Sequence, residues 1–158
     1  MGYLWIILAI TAFAIVGIAV MAVQRLQATR TAVNRERAIQ EFAAERDDLC
    51  GLFLRTAAAS GKPRGLRWTG CELSGSPLFA VDDATDELIA LIAATISFAA
   101  IEGGGMEEVE AVGNLRSATA VFMHRGKGWM TDGRVIFNLE PAEALAKFQG
   151  TLRPLDLA

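Results

Sequence analysis

Four carboxylates flank a glycine-rich segment in the second half of the chain, and oxygen ligands of this kind can bind a divalent cation. They are Glu102, Glu107, Glu108 and Glu110, and Gly103-Gly104-Gly105 separates the first from the others. The segment lacks the alternating Asp and Asn spacing of a calcium loop and the GxxxxGK[ST] context of a phosphate loop. We interpret it as an exposed acidic loop, and the alternative is a metal site or a site for a basic partner, with Glu102, Glu107 and Glu108 as candidate partner contacts.

The only histidine, His124, lies beside two basic residues, Arg125 and Lys127. Acid–base catalysis by histidine needs a partner that orients the ring or a nucleophile that the ring activates. Ser117 and Asp132 have suitable side chains, but no spacing pattern places either of them next to His124. The pattern favours a basic surface hairpin in which His124 and Arg125 are candidate contacts for a partner.

A second basic cluster contains one aromatic residue. Its members are Lys62, Arg64, Arg67 and Trp68. The cluster predicts a solvated loop, with contact to lipid headgroups or to an acidic partner as the alternative.

The two cysteines, Cys50 and Cys71, match neither a CxxC motif nor a zinc-ligand spacing. We expect two ordinary buried cysteines, which stay as thiols in a cytoplasmic domain and can form a disulfide in an exported one. The sequence therefore predicts no catalytic residue, metal ligand or cofactor. The net charge of −3 gives no general attraction to nucleic acid.

These residues lie among predicted helices and strands. The pattern of those elements predicts an α+β fold with an antiparallel sheet of about five strands. Strand patterns occur at residues 66–73, 78–81, 88–101, 118–124, 129–131 and 134–139. The run 88–101 is apolar without alternation, which is typical of a central strand buried on both faces. Turns are expected at 74–77, at Asp82, Asp83 and Asp86, and as a hairpin at Asp132-Gly133. A short C-terminal helix follows Glu140, and residues 151–158 are expected to form a loosely held tail.

A helix is predicted from Gln24 to about Ala59, because the segment is rich in good helix formers and contains no proline. Residues 24–38 have few large apolar side chains and indicate a juxtamembrane stalk. Apolar residues at helical spacing from Ile39 to Leu54 predict an amphipathic half that packs on the sheet within a domain of residues 39–150. Pairing of the 24–59 helix with another protein or with a second copy is an alternative.

The segment from Tyr3 to Val23 carries no charged side chain. As a helix it is about 30 Å long, the thickness of the hydrocarbon core of a bilayer. A cleaved signal peptide would need a basic n-region and a shorter apolar run. Residues 1–23 therefore predict a transmembrane anchor, with Tyr3 and Trp5 at one membrane interface.

Arginines follow the anchor at its C-terminal side and begin with Arg25 and Arg30. Basic residues close to a span tend to stay in the cytoplasm, which predicts a single-pass protein of the cell membrane with a cytoplasmic C-terminal domain. The expected partner is the lipid bilayer, and the expected role is a non-catalytic interaction or assembly module. A membrane-tethered sensor or enzyme is a further alternative.

An apolar N-terminal helix that continues into an amphipathic helix and then into an antiparallel sheet resembles the layout of type IV pilins and pseudopilins. Gly2-Tyr3 is similar to the Gly-aromatic junction after the leader of that family, whereas Ile7 stands where the family has a Glu, and the leader position lacks a basic residue. The resemblance implies an exported envelope component.

Overall fold

The computed structural model describes residues 2–60, 65–106, 108, 115–126 and 128–155, without the side chains of residues 2, 4–12, 14 and 28. The chain divides into two compact units, Met1–Ile39 and Gln40–Ala158. The described helices are α1 (Gly2–Ala44), α2 (Arg46–Ser60) and α3 (Pro141–Lys147). The described strands are β1 (Leu66–Asp82), β2 (Leu88–Ala100), β3 (Arg116–Arg125), β4 (Gly128–Met130), β5 (Val135–Phe137) and β6 (Leu152–Pro154).

The first unit is helical and consists of α1 up to Ile39. The described large apolar side chains from Phe13 to Val33 are exposed, between 83% for Phe13 and 49% for Val20. Among the residues that the structure describes, no helix has both the length and the apolar character needed to cross a membrane. The transmembrane anchor at residues 1–23 stays a prediction.

The predicted helix from Gln24 to Ala59 is present as the second part of α1 and the whole of α2, which meet at Glu45. The helical hydrogen bonds continue across this bend. The Glu45 N–H donates to the Glu41 carbonyl, and the Leu49 N–H donates to the Glu45 carbonyl, both at 2.9 Å. The bend therefore changes the helix direction while keeping its backbone groups paired.

All strand pairs in the sheet of the second unit are antiparallel, in the order β4-β3-β2-β1-β6, with β5 also paired to β3. β4 pairs with Met123–Arg125 and β5 pairs with Ala118–Ala120 on the same edge of β3. The predicted hairpin at Asp132-Gly133 is therefore wrong. The chain keeps its direction there and makes an interruption within one edge strand.

The predicted turn at residues 74–77 is also wrong, because these residues lie inside the continuous strand β1. Ser74 pairs with Ala93 and Leu78 pairs with Leu91, so β1 has two extra residues in this stretch. Gly75 has a positive φ of 69°, which a bulge of this kind requires. A bulge absorbs the Ser-Gly-Ser-Pro sequence without reversing the chain.

The central position predicted for residues 88–101 is confirmed, because β2 pairs with β1 on one side and with β3 on the other. Helices cover both faces of the sheet in this unit. One buried layer contains Ile89, Leu91, Val121 and Met123, with Leu145 of α3 packed on it. The other layer faces α2 and the end of α1, and this two-sided burial explains the lack of polar alternation in β2.

Aromatic rings fill the layer between the sheet and the helical segment formed by α2 and the end of α1 (Gln40–Ala44). The ring of Phe42 lies edge-on to those of Phe79, Phe122 and Trp129, at centroid distances of 5.9, 5.4 and 4.9 Å. Phe53 continues the contacts to Phe122 at 5.9 Å. Phe42, Leu49, Phe53 and Ala57 are all buried and follow helical spacing, so the predicted packing of the amphipathic half on the sheet is confirmed.

The C-terminal helix α3 is shorter than the segment 140–150 but begins as predicted, with Pro141 in its first turn. The Glu140 N–H donates to the Glu143 carboxylate at 3.0 Å, which closes the first turn. Residues 152–154 of the predicted loose tail form β6 and pair with Ala80–Asp82 of β1. This part of the tail therefore belongs to the sheet.

Candidate functional site

His124 lies at the end of β3, on the sheet face that is covered by α2 and by the end of α1. Its Nε2 atom is 3.9 Å from the Glu41 carboxylate, and its ring is edge-on to Trp129 at a centroid distance of 5.3 Å. The histidine side chain is 20% exposed. This arrangement places the imidazole ring between a carboxylate and an aromatic ring.

The two partners suggested by the sequence are engaged elsewhere. Ser117 donates to the Glu140 carboxylate at 3.5 Å, and Asp132 accepts from Arg134 at 3.2 Å. Glu41 is the carboxylate beside His124, and the sequence analysis missed it. No local signal could have found it, because only the packing of the last residues of α1, Gln40–Ala44, on the sheet brings these two residues together.

Arg125 points to the opposite face of the sheet from His124, as alternation along a strand requires. Its Nε donates to the Glu87 carboxylate at 2.6 Å. This hydrogen bond and the charge of Glu87 raise the pKa of the exposed Arg125 guanidinium above its ordinary value. The predicted basic hairpin is therefore divided between two faces, and its arginine is already paired with a carboxylate.

The acidic loop begins at the far end of β2. His124 pairs with Leu88 at the start of β2, whereas Glu102 follows its last residue, Ala100. A strand of this length spans about 40 Å, so the two predicted contact regions are separate surfaces. Glu102 and Glu108 are exposed, while Glu107 and Glu110 lie outside the described residues.

The second basic cluster does not form the predicted loop surface as a unit. Trp68 packs on Phe98 at 4.9 Å and on Phe53 at 6.3 Å, and so belongs to the aromatic layer. Arg67 is exposed, and Lys62, Arg64 and also Lys127 lie outside the described residues. In the described part of the chain, no group of three or more His, Cys, Asp or Glu side chains could hold a metal ion.

The turn predicted at Asp82, Asp83 and Asp86 is confirmed. The Asp82 carboxylate accepts hydrogen bonds from the Ala84 N–H at 2.9 Å and the Thr85 N–H at 3.0 Å. These backbone hydrogen bonds lower the pKa of Asp82 below its ordinary value of 3.8. Asp86 has a positive φ of 57°, a conformation that aspartate tolerates better than most residues. Turn chemistry accounts for the aspartates.

We expect Asp82→Ala to destabilise the protein at neutral pH, because the N–H groups of Ala84 and Thr85 lose their acceptor. A carboxyl group with a lowered folded-state pKa stabilises the fold above its unfolded-state pKa and loses this effect as the pH falls through the folded-state value. The difference between Asp82→Ala and the wild type should therefore shrink below about pH 4. Urea denaturation across pH measures it, and Asp82→Asn, which keeps an acceptor oxygen, is the control. A difference that is independent of pH contradicts this assignment.

Cys50 of α2 and Cys71 of β1 lie in contact. The Cys50 thiol donates to the Cys71 carbonyl, with a distance of 3.0 Å between sulfur and oxygen, and both cysteines are free and half-buried. Burial, followed by the charge and the hydrogen bond of Cys50, raises the pKa of the Cys71 thiol to about 12. The sequence named both residues, but only helix packing on β1 brings them together.

The predicted membrane-interface residues all lie in α1. Tyr3 is 82% exposed, and Arg25 and Arg30 are also exposed. The Trp5 side chain is outside the described part. Their interface role remains a prediction.

The fold and these sites define the class of the second unit: an α+β domain with a six-stranded antiparallel sheet and helices on both of its faces. Comparison with protein families, curated proteins and solved structures finds no match for the chain.

Proposed function

We propose that the protein is a single-pass membrane protein whose C-terminal α+β domain is a non-catalytic interaction or assembly module in the cytoplasm. The observation that carries this proposal is the uncharged part of α1. No charged residue occurs from Tyr3 to Val23, and the described large apolar side chains there are exposed. Exposed apolar surface of this extent is typical of contact with lipid or with another protein.

The stalk supports a second contact through the same helix. Leu26 is 60% exposed and Val33 is 52% exposed. Residues seven apart lie on nearly the same side of a helix. These two side chains would contribute to pairing with a second copy or with another membrane protein.

The domain offers two separate surfaces for a partner. The first is the exposed acidic loop with Glu102 and Glu108. The second is the His124–Arg125 end of β3, where each of the two side chains already faces a glutamate. The acidic loop is the stronger candidate, since its described carboxylates are exposed to solvent and free of the aromatic layer.

Membrane anchoring is tested by expressing the full chain with paired arginine substitutions. Ile15→Arg with Ile18→Arg is expected to move the protein from the carbonate-resistant membrane fraction to the soluble fraction, because each arginine costs about 3 kcal/mol near the centre of a membrane helix. Leu26→Arg with Val33→Arg is the matched control, since it adds the same charge to positions of the same helix that are also more than half exposed. Recovery of the wild-type chain in the soluble fraction would contradict the predicted membrane anchor.

Orientation is tested separately with reporters fused after Ala158. A reporter that is active only in the cytoplasm is expected to be active there, because arginines beginning at Arg25 follow the uncharged segment. Activity of an export-dependent reporter instead would favour the exported envelope component.

A further inference from the structure

Two side chains of α2, four residues apart, contact two carbonyl groups of β1 that are two residues apart. Arg46 donates to the Leu73 carbonyl at 2.8 Å, and the next turn of the helix places Cys50 at the Cys71 carbonyl at 3.0 Å. Four helical residues rise about 6 Å, and two strand residues span about 7 Å. The two contacts therefore repeat in register, with helix and strand running in opposite directions.

This edge of β1 is otherwise open among the described residues. β2 pairs with one side of β1 along its length, while β6 pairs with the other side only at Ala80–Asp82. Open strand edges are prone to pair with other chains unless side chains cover them. Arg46 and Cys50 provide that cover here by occupying carbonyl groups of the edge strand.

We propose that Cys50 and Cys71 are a redox-sensitive thiol pair that closes a disulfide between α2 and β1 when the protein meets a small-molecule disulfide. The two cysteines come from different elements, and the Cys50 sulfur already lies 3.0 Å from the backbone carbonyl oxygen of Cys71. Forming the S–S bond requires the two sulfur atoms to approach to about 2 Å. The bond would hold α2 covalently, until it is reduced, at the open edge that its side chains already cover.

The chemistry is two successive thiol–disulfide exchanges. The Cys50 thiolate attacks one sulfur of the small disulfide, forms a mixed disulfide and releases one small thiolate. The Cys71 thiol then gives its proton to water. The resulting thiolate attacks the Cys50 sulfur of the mixed disulfide and releases the second small thiolate. The two cysteines are oxidised by two electrons, and one small disulfide is reduced to two thiols.

The environment of Cys71 assigns the order of these steps. Its pKa of about 12 leaves very little thiolate at neutral pH, so Cys71 is the poorer first nucleophile. Attack by Cys71 on Cys50 is intramolecular and needs only the small thiolate fraction. The rate of closure should therefore rise as the pH is increased from 7 to 9.

The full chain in mild detergent is incubated with oxidised glutathione, and its thiols are counted under denaturing conditions. We expect the thiol count to fall from two to zero, the intact mass to fall by about 2 Da, and the product to remain monomeric on a non-reducing gel. The melting temperature should rise on the order of 10 °C, because the bond closes a loop of about 20 residues. Dithiothreitol should restore the original thiol count, mass and melting temperature.

The matched control keeps two cysteines but moves one of them to the other face of β1. Cys71→Ser combined with Glu72→Cys is expected to retain glutathione adducts and to form no internal bond, because successive strand residues point to opposite faces. Unchanged thiols in the wild type, stable glutathione adducts on it, or crosslinked dimers would each overturn the proposal. Equal closure in the control variant would also overturn it.

Discussion

Replacement of Phe42 by alanine is expected to destabilise the Gln40–Ala158 unit by about 3–5 kcal/mol, a large part of the stability of an ordinary domain. Phe42 is 1% exposed, and three aromatic rings surround it within 6 Å between centroids. Alanine would remove the ring and leave a cavity that these three neighbours cannot fill without leaving their own contacts.

Urea denaturation of the full chain in mild detergent, followed by tryptophan fluorescence, measures this loss, since the Trp129 ring touches Phe42. Phe42→Leu keeps much of the volume and should cost less than Phe42→Ala. Phe148→Ala removes the same side chain from a position that is 39% exposed and should cost about 1 kcal/mol or less. Similar losses for Phe42→Ala and Phe148→Ala would contradict the central role of Phe42.

The helix residues of this core could be predicted, because the pattern that identifies them lies within one short segment of the sequence. Phe42, Leu49 and Phe53 repeat at helical spacing between charged residues, so the buried face is visible in the sequence. The strand residues that meet Phe42 were not predictable in the same way. Phe79, Phe122 and Trp129 reach it only through the registers of separate strand pairs, which depend on contacts far apart along the chain.

The errors in the sheet have a related cause. Ser74 to Pro77 and Asp132-Gly133 both carry strong turn residues, and both lie in irregular parts of strands that continue in one direction. Glycine and aspartate fit bulges and turns equally well, because both structures need unusual backbone angles. Whether such residues form a bulge or a turn depends on the strand that pairs with them. The local sequence does not identify that strand.

The candidate sites show the same limit. The residues with reactive side chains were identified from their types, but their neighbours were not. Glu41 beside His124 and Cys50 beside Cys71 each join a helix to a strand. Such pairs form when α2 and the end of α1 dock on the sheet. Residue spacing within one segment cannot predict contacts between two segments.

Gly133→Ala is expected to destabilise the same unit by about 2–5 kcal/mol, although it adds only one methyl group. A Cβ atom at this position would lie 2.7 Å from both the Cα and the N atoms of Ala57 in α2. These are backbone atoms of a packed helix and cannot rotate away. The φ angle of +77° adds strain, because side chains with a Cβ rarely adopt it.

Gly126→Ala separates the two causes. Gly126 also has a positive φ, +63°, but a Cβ there would meet no atom within 4 Å. It should therefore show the backbone strain alone, about 1–2 kcal/mol. The excess cost of Gly133→Ala over Gly126→Ala in urea denaturation then measures the close approach of α2 to the interruption between β4 and β5. Equal losses for the two variants would mean that α2 moves away without cost, and that the irregular edge strand does not fix the position of the helix.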